Sequence, residues 1–160
     1  TMAQQTAAGS GLEIGTTLAA GNKEDFESDT YTEIGEITNI GDFGKEYQTI
    51  ETKALKQRQV RNIKGSFNNG TLEVELYLDP NDAGQSAALA ALDTDDNYNF
   101  KATLNDAPTS GSDPTPTTYY FRGLVTTFRT SVSDVDSAVT ARCVVAINSE
   151  IITVPAATGD

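Results

Sequence analysis

The sequence contains no histidine and no tryptophan, and it has a single cysteine, Cys143. Without histidine, the Ser-His and Cys-His pairs that activate a catalytic nucleophile cannot form. One cysteine cannot form a disulfide within the chain, so nothing in the sequence demands an oxidising compartment. Tryptophan is the side chain we would expect beneath a sugar ring. These absences argue against nucleophilic catalysis and against a carbohydrate site.

Long hydrophobic runs are missing as well. No apolar stretch approaches the roughly 20 residues that span a bilayer. No basic segment followed by an apolar one opens the sequence. We therefore expect a soluble protein without a signal peptide and without a membrane partner. A length of 160 residues suits one domain, which we place at residues 11–154, between a flexible N-terminal arm at 1–10 and a flexible tail at 155–160.

Motifs for metals and cofactors are incomplete. Asp93, Asp95 and Asn97 are spaced like the start of a calcium-binding loop, but the sixth position is Tyr98 instead of glycine and the twelfth is Leu104 instead of glutamate. Carboxylate pairs of the glycosidase kind meet only in three dimensions, so spacing does not exclude them. We predict a protein that is not an enzyme, with no catalytic residue, no metal and no cofactor.

Positive charge is scarce and concentrated in one segment. Eleven Lys and Arg against 23 Asp and Glu give a net charge of −12. Residues 45–64 carry a net charge of +4, whereas the rest of the chain carries −16. An acidic chain opposes a static grip on phosphates. Either the two regions are ordinary solvated surfaces, or patches of opposite sign meet between copies of the chain.

The alternation of apolar and polar residues predicts an almost entirely β protein. The predicted strands are residues 11–18, 32–42, 60–67, 71–78, 97–104, 118–130 and 138–147. The irregular spacing within 32–42 indicates a bulge or exposure on both faces. Residues 43–61 have no lasting period and read as a long charged loop, which is uncommon in a compact domain unless it is functional.

Asn69 and Gly70 predict a type I′ hairpin that pairs residues 60–67 with 71–78. Within the second strand, Leu72, Val74, Leu76 and Leu78 alternate with outward-facing Glu73 and Glu75.

One short helix should follow this strand directly. Asp79 suits the N-cap and Pro80 the first helical position. Ala88, Leu89 and Leu92 would form its packing stripe.

The order of these elements resembles the major tail tube proteins of lambda-like long-tailed phages. Four segments carry the resemblance, over roughly residues 11–152: 11–18 (GLEIGTTL), 31–40 (YTEIGEITNI), 72–92 (LEVELYLDPNDAGQSAALAAL) and 120–125 (YFRGLV). The lambda-like proteins carry an additional immunoglobulin-like domain that has no counterpart in this sequence.

The resemblance implies a β-sandwich-like or barrel-like tail tube fold with one flanking helix. It further implies hexameric rings that stack into a tube around a tape-measure protein, with tail terminator and tail-tip proteins as further partners. DNA would pass transiently and non-specifically through an acidic lumen. The expected location is the virion, and the host cytoplasm during assembly.

Two groups of residues are the candidate site. The contacts between subunits and between rings are assigned to the cationic segment: Lys45, Lys53, Lys56, Arg58, Arg61 and Lys64. The lumen-facing acidic residues are assigned to two strands: Glu73, Glu75, Glu33 and Glu36. Two other functions remain open, a tube protein of the type VI secretion kind, whose fold the family shares, and an acidic β-sandwich that binds carbohydrate. A tube protein should polymerise without ligand, whereas a sugar binder should not.

Overall fold

A computed structural model of the chain describes residues 8–56 and 58–159. The protein is mostly β, as the sequence predicts, with two helices in the described ranges. In chain order the elements are β1 (Gly11–Ile14), α1 (Lys23–Ser28), β2 (Thr32–Ile34), β3 (Ile37–Ile40), β4 (Glu46–Thr52), β5 (Arg61–Asn68), β6 (Thr71–Tyr77), α2 (Ala83–Leu92), β7 (Tyr98–Thr103), β8 (Thr118–Ser131), β9 (Thr140–Ile147) and β10 (Ile152–Val154).

The main sheet is antiparallel and has the strand order β2-β1-β7-β8-β9-β6-β3, with β10 also paired to β8. The 14-residue strand β8 joins the two halves of the sheet. Its first part pairs with β7 and β10, and its second part pairs with β9. A register shift between Val125 and Thr127 interrupts the pairing with β9. A bulge bends a strand, so β8 can turn from one half to the other.

One hydrophobic core is shared by both halves of the sheet. Leu12 and Phe100 come from the β1-β7 half, and Leu72, Leu76 and Val145 come from the β9-β6 half; all five are almost fully buried. Helix α2 packs against β8, β2 and β1. The sheet therefore closes over a single core, in a sandwich-like arrangement.

The predicted hairpin across Asn69 and Gly70 is wrong. Strand β5 pairs with β4 in a separate two-stranded sheet, whereas β6 pairs with β9 and β3. Gly70 has a φ of 78°, but Asn69 does not have the positive φ that a type I′ turn also needs. Instead, Asn69 is buried and its Nδ2 donates to the Ser149 carbonyl at 2.9 Å. This turn links two sheets.

The predicted long loop at 43–61 is also wrong in part. It contains all of β4, and β5 begins at Arg61. Every described residue of the β4-β5 hairpin is exposed except the half-buried Gly65. Because neither face of the hairpin is buried against the core, β4 lacks the lasting apolar/polar alternation that sequence reasoning uses to find strands, whereas β5 lies close to the predicted strand at 60–67.

The predicted strand at 32–42 is two strands. Glu36 separates β2 from β3 and has a φ of 60°, a left-handed conformation that ends the first strand. Beyond it, the register between β3 and β6 shifts between Ile37 and Asn39. The irregular spacing of the isoleucines thus reflects a real bulge, as predicted.

Helix α2 starts later than predicted. Its N-cap is Asp82, whose carboxylate accepts from the Gln85 amide at 2.9 Å, while Asp79 and Pro80 lie in the preceding turn. The predicted stripe is only partly correct, since Ala88 is buried but Leu89 is 48% exposed.

The buried side of α2 is made of small and polar residues: Gly84, Gln85, Ala88 and Ala91. A Cβ on Gly84 would collide with the carbonyl of Glu33 in β2. The helix therefore lies too close to β2 for a stripe of leucines on this side.

Helix α1 lies between the predicted strands 11–18 and 32–42, where the sequence predicts no helix. Asn22 caps it, and its one buried residue, Phe26, stacks on Tyr120 at 5.6 Å between ring centroids. One apolar residue in a six-residue acidic helix gives no periodicity to detect.

Order also extends further at the C-terminal end than predicted. Strand β10 was not predicted, and beyond Pro155 the residue Ala157 forms an isolated bridge with Thr115. Most of the predicted N-terminal arm, residues 1–7, and residue 160 of the predicted tail lie outside the described residues, so flexibility of these segments stays a prediction.

Candidate assembly interface

The β4-β5 hairpin exposes large apolar side chains in addition to its charges. Leu55, in the connection between the two strands, is fully exposed, and Ile63 is 54% exposed. Tyr47, Ile50, Val60 and Phe67 are also exposed. Contiguous exposed apolar side chains in a soluble domain mark surfaces that contact other molecules.

The base of the hairpin is rigidified by aromatic and cationic contacts. Tyr47 and Phe67 lie 5.3 Å apart between ring centroids. Lys45 Nζ lies 4.4 Å from the Phe67 centroid, and Lys64 Nζ lies 4.9 Å from the Tyr47 centroid. Cation–π contacts at exposed sites contribute about 0.5–1 kcal/mol each. Lys45 also approaches Glu150 at 3.5 Å, which ties the base of the hairpin to the domain.

The six predicted contact residues all lie in the β4-β5 hairpin or directly before it, but they occupy three different places. Arg61 is the first residue of β5 and pairs with Thr52 in the register. Lys45 and Lys64 hold the base. Lys53, Lys56 and Arg58 lie in the connection between β4 and β5, and in the part of the chain that the structure describes they form no ion pair. We call residues 53–56 and 58 the hairpin tip; it combines an exposed leucine with three cations that form no ion pair among the described residues.

Glu73 and Glu75 face away from the core, as predicted, but they do not form a purely acidic row. Arg142 of β9 lies directly opposite Glu75 in the register and makes an ion pair with Glu73. Arg129 of β8 lies opposite Arg142 on the other side of β9 in the register. Glu75, Arg129 and Arg142 line an open groove of about 560 Å³. Two arginines therefore lie beside the two glutamates, because Glu73 is paired with one of them, Arg142.

The other two predicted lumen residues lie elsewhere. Glu33 is on β2, at the opposite end of the strand order from β6. Glu36 lies closer to β6, because its carbonyl accepts from the Tyr77 amide at 2.8 Å. Glu33 therefore does not lie on a strand paired with β6, and the position of the four glutamates in a lumen stays a prediction.

The shifted pKa values of Asp29 and Cys143 have structural causes. Burial raises the pKa of Asp29, but hydrogen bonds from Thr16 and Asn99 lower it by more, so the net pKa lies below its ordinary 3.8. Burial raises the pKa of Cys143 to about 11, which keeps the thiol neutral and poorly nucleophilic at pH 7. Over residues 8–56 and 58–159, no cluster of three or more potential metal ligands occurs.

Comparison with solved structures identifies the architecture. A chain of the PVC sheath/tube terminator, from an extracellular contractile injection system, superposes with a TM-score of 0.67 at 11% identity, covering 96% of this chain and 98% of that one. A chain of the anti-feeding prophage baseplate superposes with a TM-score of 0.68 at 10% identity, covering 97% of this chain and 98% of that one. A chain of the SPP1 tail tube superposes with a TM-score of 0.61 at 14% identity, covering 94% of this chain and 77% of that one. The chain has the tail tube fold.

The tail tube fold confirms what the sequence resemblance implied about architecture. At these identities the similarity concerns the fold alone. No protein-family model and no curated protein sequence matches the chain. None of the helices in the described part of the molecule is long and apolar enough to cross a membrane.

Sequence reasoning missed a second exposed surface of this tail tube fold. The connection between β8 and β9, residues 131–139 (SVSDVDSAV), is exposed throughout. Val132 is 76% exposed and Val135 is fully exposed. The available signal was the occurrence of Val132 and Val135 beside Asp134 and Asp136 between the two predicted strands at 118–130 and 138–147.

Proposed function

We propose that the chain is a structural protein whose copies form rings that stack into a tail tube. The observation that carries the proposal is the β4-β5 hairpin on a tail tube fold. This element has little packing of its own against the domain and presents Leu55 with three cations to solvent. A monomer has no use for such a surface, whereas a polymer can bury it.

The charge distribution supports a conduit. Outside residues 45–64 the chain carries −16, so a tube built from many copies would have strongly acidic walls. Such walls repel phosphate and would let DNA pass without adhering. The proposed arrangement is hexameric rings in a phage tail, around a tape-measure protein and bounded by tail terminator and tail-tip proteins. Its location would be the virion, after assembly in the host cytoplasm.

A second candidate is the tube of a contractile injection machine, of the kind to which type VI secretion tubes belong. The observation in its favour is coverage. This chain spans 98% of the matched PVC and anti-feeding prophage chains but 77% of the SPP1 chain. The two candidates share the assembly and differ in cargo, so isolated particles that contain DNA support the first and particles that contain only protein support the second.

Charge reversal at the hairpin tip tests the assembly itself. The variant Lys53→Glu/Lys56→Glu/Arg58→Glu should fold normally, because these side chains are exposed and make no ion pair in the described structure. It should sediment as a monomer under conditions in which the wild-type chain forms tubes. The matched control Lys53→Arg/Lys56→Arg/Arg58→Lys keeps the charge and should assemble.

Normal polymerisation of the reversed variant would contradict the proposed role of residues 43–64 in contacts between rings. These residues would then be an ordinary solvated surface. Circular dichroism and urea denaturation, compared with wild type, exclude misfolding as the cause of any loss.

A further inference from the structure

An apolar groove lies beside the first turns of α2. Its volume is about 310 Å³, and Leu78, Leu89 and Phe128 form much of its wall, with Asp79 at its margin. Leu78 and Phe128 are half-buried at the border of the core, whereas Leu89 is 48% exposed. The helix presents an uncovered leucine here.

The exposed 131–139 connection borders this groove. The Leu78 amide donates to the Val139 carbonyl at 3.0 Å, and Thr130, which lines the groove, is followed directly by the connection. The connection adds Val132 and Val135 as exposed apolar side chains and Asp134 and Asp136 as charges. We call the groove and residues 131–139 together the acceptor surface; it is apolar and acidic.

The hairpin tip has complementary properties. It carries an exposed leucine, Leu55, and the cations Lys53, Lys56 and Arg58. Charged groups of opposite sign steer association and fix register, and burial of the apolar side chains supplies the driving force.

The base of the hairpin and the acceptor surface lie at opposite ends of the same strand, β6. The hairpin ends at Asn68, just before β6 begins at Thr71, whereas Tyr77 at the other end of β6 pairs with Thr140, next to the 131–139 connection. At about 3.3 Å per residue, β6 separates these ends by roughly 20 Å. A contact between two different surfaces of successive copies is heterologous and can repeat without limit along an axis.

We infer that the acceptor surface receives the hairpin tip of the next copy in the stack, with Leu55 inserted between Leu78, Leu89 and Phe128. This inference rests on the proposed tube function and names the partner of its hairpin. The cations of the tip then face Asp79, Asp134 and Asp136. The occupant is a second copy of this chain, because the tip supplies an apolar side chain that can fill the apolar groove and cations that complement its acidic border.

A cysteine pair tests this contact directly. In assembled tubes, the Leu55→Cys/Leu89→Cys variant should yield a ladder of disulfide-linked oligomers on non-reducing gels after mild oxidation. Leu55→Cys paired with Lys23→Cys, on the exposed surface of α1, should give none. The native Cys143 is buried and present in both variants, so it does not distinguish them.

The outcomes separate the contact from the function. Tubes that assemble from the Leu55→Cys/Leu89→Cys variant without any ladder would overturn the acceptor surface and leave the tube function standing. If the wild-type chain forms no tubes at all, the proposed function fails and the acceptor surface with it.

Charge exchange gives a second readout. Asp134→Lys/Asp136→Lys should abolish tubes, and combining it with Lys53→Glu/Lys56→Glu/Arg58→Glu should restore them, because the opposed charges are exchanged across the contact. Asp95→Lys/Asp96→Lys adds the same charge on an exposed turn beyond the other end of α2 and should leave assembly unchanged. Tubes that form normally from Asp134→Lys/Asp136→Lys would overturn the inference.

Discussion

Cys143 shows how a residue that invites a chemical interpretation is explained by packing. It lies on β9 with its side chain in the core, next to Val74 of β6 in the register. Burial raises the pKa of its thiol from the ordinary 9.0 to about 11. The thiol is therefore a small hydrophobic group in this fold.

The raised pKa of Cys143 predicts how stability depends on alkaline pH. Below pH 9 the thiol is protonated in both the folded and unfolded states and adds no pH dependence. Between pH 9 and 11 the unfolded state loses the proton and the folded state keeps it, so stability should fall as pH rises, by roughly 2–3 kcal/mol over the window.

Urea denaturation between pH 8 and 11 measures this loss. The Cys143→Ala variant is the control, because tyrosines and lysines also titrate in this range. Its stability should fall less steeply than that of wild type, and equal slopes would contradict the assignment.

At the scale of elements, the start of α2 shows how a turn and a helix are joined. The Asp82 carboxylate accepts from the Gln85 amide and also from the Gly35 amide at 3.0 Å, so one side chain caps the helix and holds the β2-β3 connection. Gln85 is buried in turn and donates to the carbonyls of Gly35 and Tyr77.

These contacts predict that replacing Asp82 lowers the free energy of unfolding more than replacing Asp79 does. Asp82→Ala should lower the free energy of unfolding by about 1–2 kcal/mol, the usual range for the loss of an N-cap. Asp79→Ala removes only a local bond to the Asn81 amide and should cost about 0.5–1 kcal/mol. Urea titrations compare the two variants. A larger loss of unfolding free energy for Asp79→Ala would contradict the assignment of Asp82 as the N-cap.

The sequence predicted those elements that have one face in the core. Strands β6, β8 and β9 lie close to their predicted ranges, because buried and exposed residues alternate along them. Strand β4 was missed because both faces of the β4-β5 hairpin are exposed. Strand β5 was predicted as residues 60–67, but with the wrong partner. The cap of α2 was misplaced because Asp79-Pro80 and Asp82 are both plausible starts, and only the close approach of Gly84 to β2 decides between them.

The candidate site was predictable in composition but not in geometry. Charge clustering alone located the cationic segment. The pairing of Glu73 with Arg142 could not be read from the sequence, because the two residues are 69 positions apart and their strands become neighbours only in the folded sheet. For the same reason, the sequence could not show that Arg142 lies beside the glutamates assigned to the lumen.

At the scale of the whole molecule, the face with Glu73 and Glu75 remains the proposed lumen surface. The variant Glu73→Lys/Glu75→Lys should fold and assemble, because both side chains are exposed and a surface ion pair contributes only about 0–1 kcal/mol. Added to Arg129 and Arg142, two lysines per chain would make the face strongly cationic. Infectious particles built from this variant should release DNA more slowly than wild-type particles, since cations bind the passing phosphates.

DNA release can be followed by the fluorescence of an intercalating dye after triggering. Asp95→Lys/Asp96→Lys adds the same charge elsewhere and serves as the control. Release at the wild-type rate from particles with Glu73→Lys/Glu75→Lys would place this face on the outer wall of the tube.

The assembly of the purified wild-type chain tests the central claim most directly. Negative-stain electron microscopy should show hollow tubes of stacked rings, with six copies around a central channel in averaged end views. The tubes should form without added ligand, since both surfaces of the repeating contact belong to the same chain. Particles that remain single 17.0 kDa monomers at every protein concentration and salt tested would contradict the account.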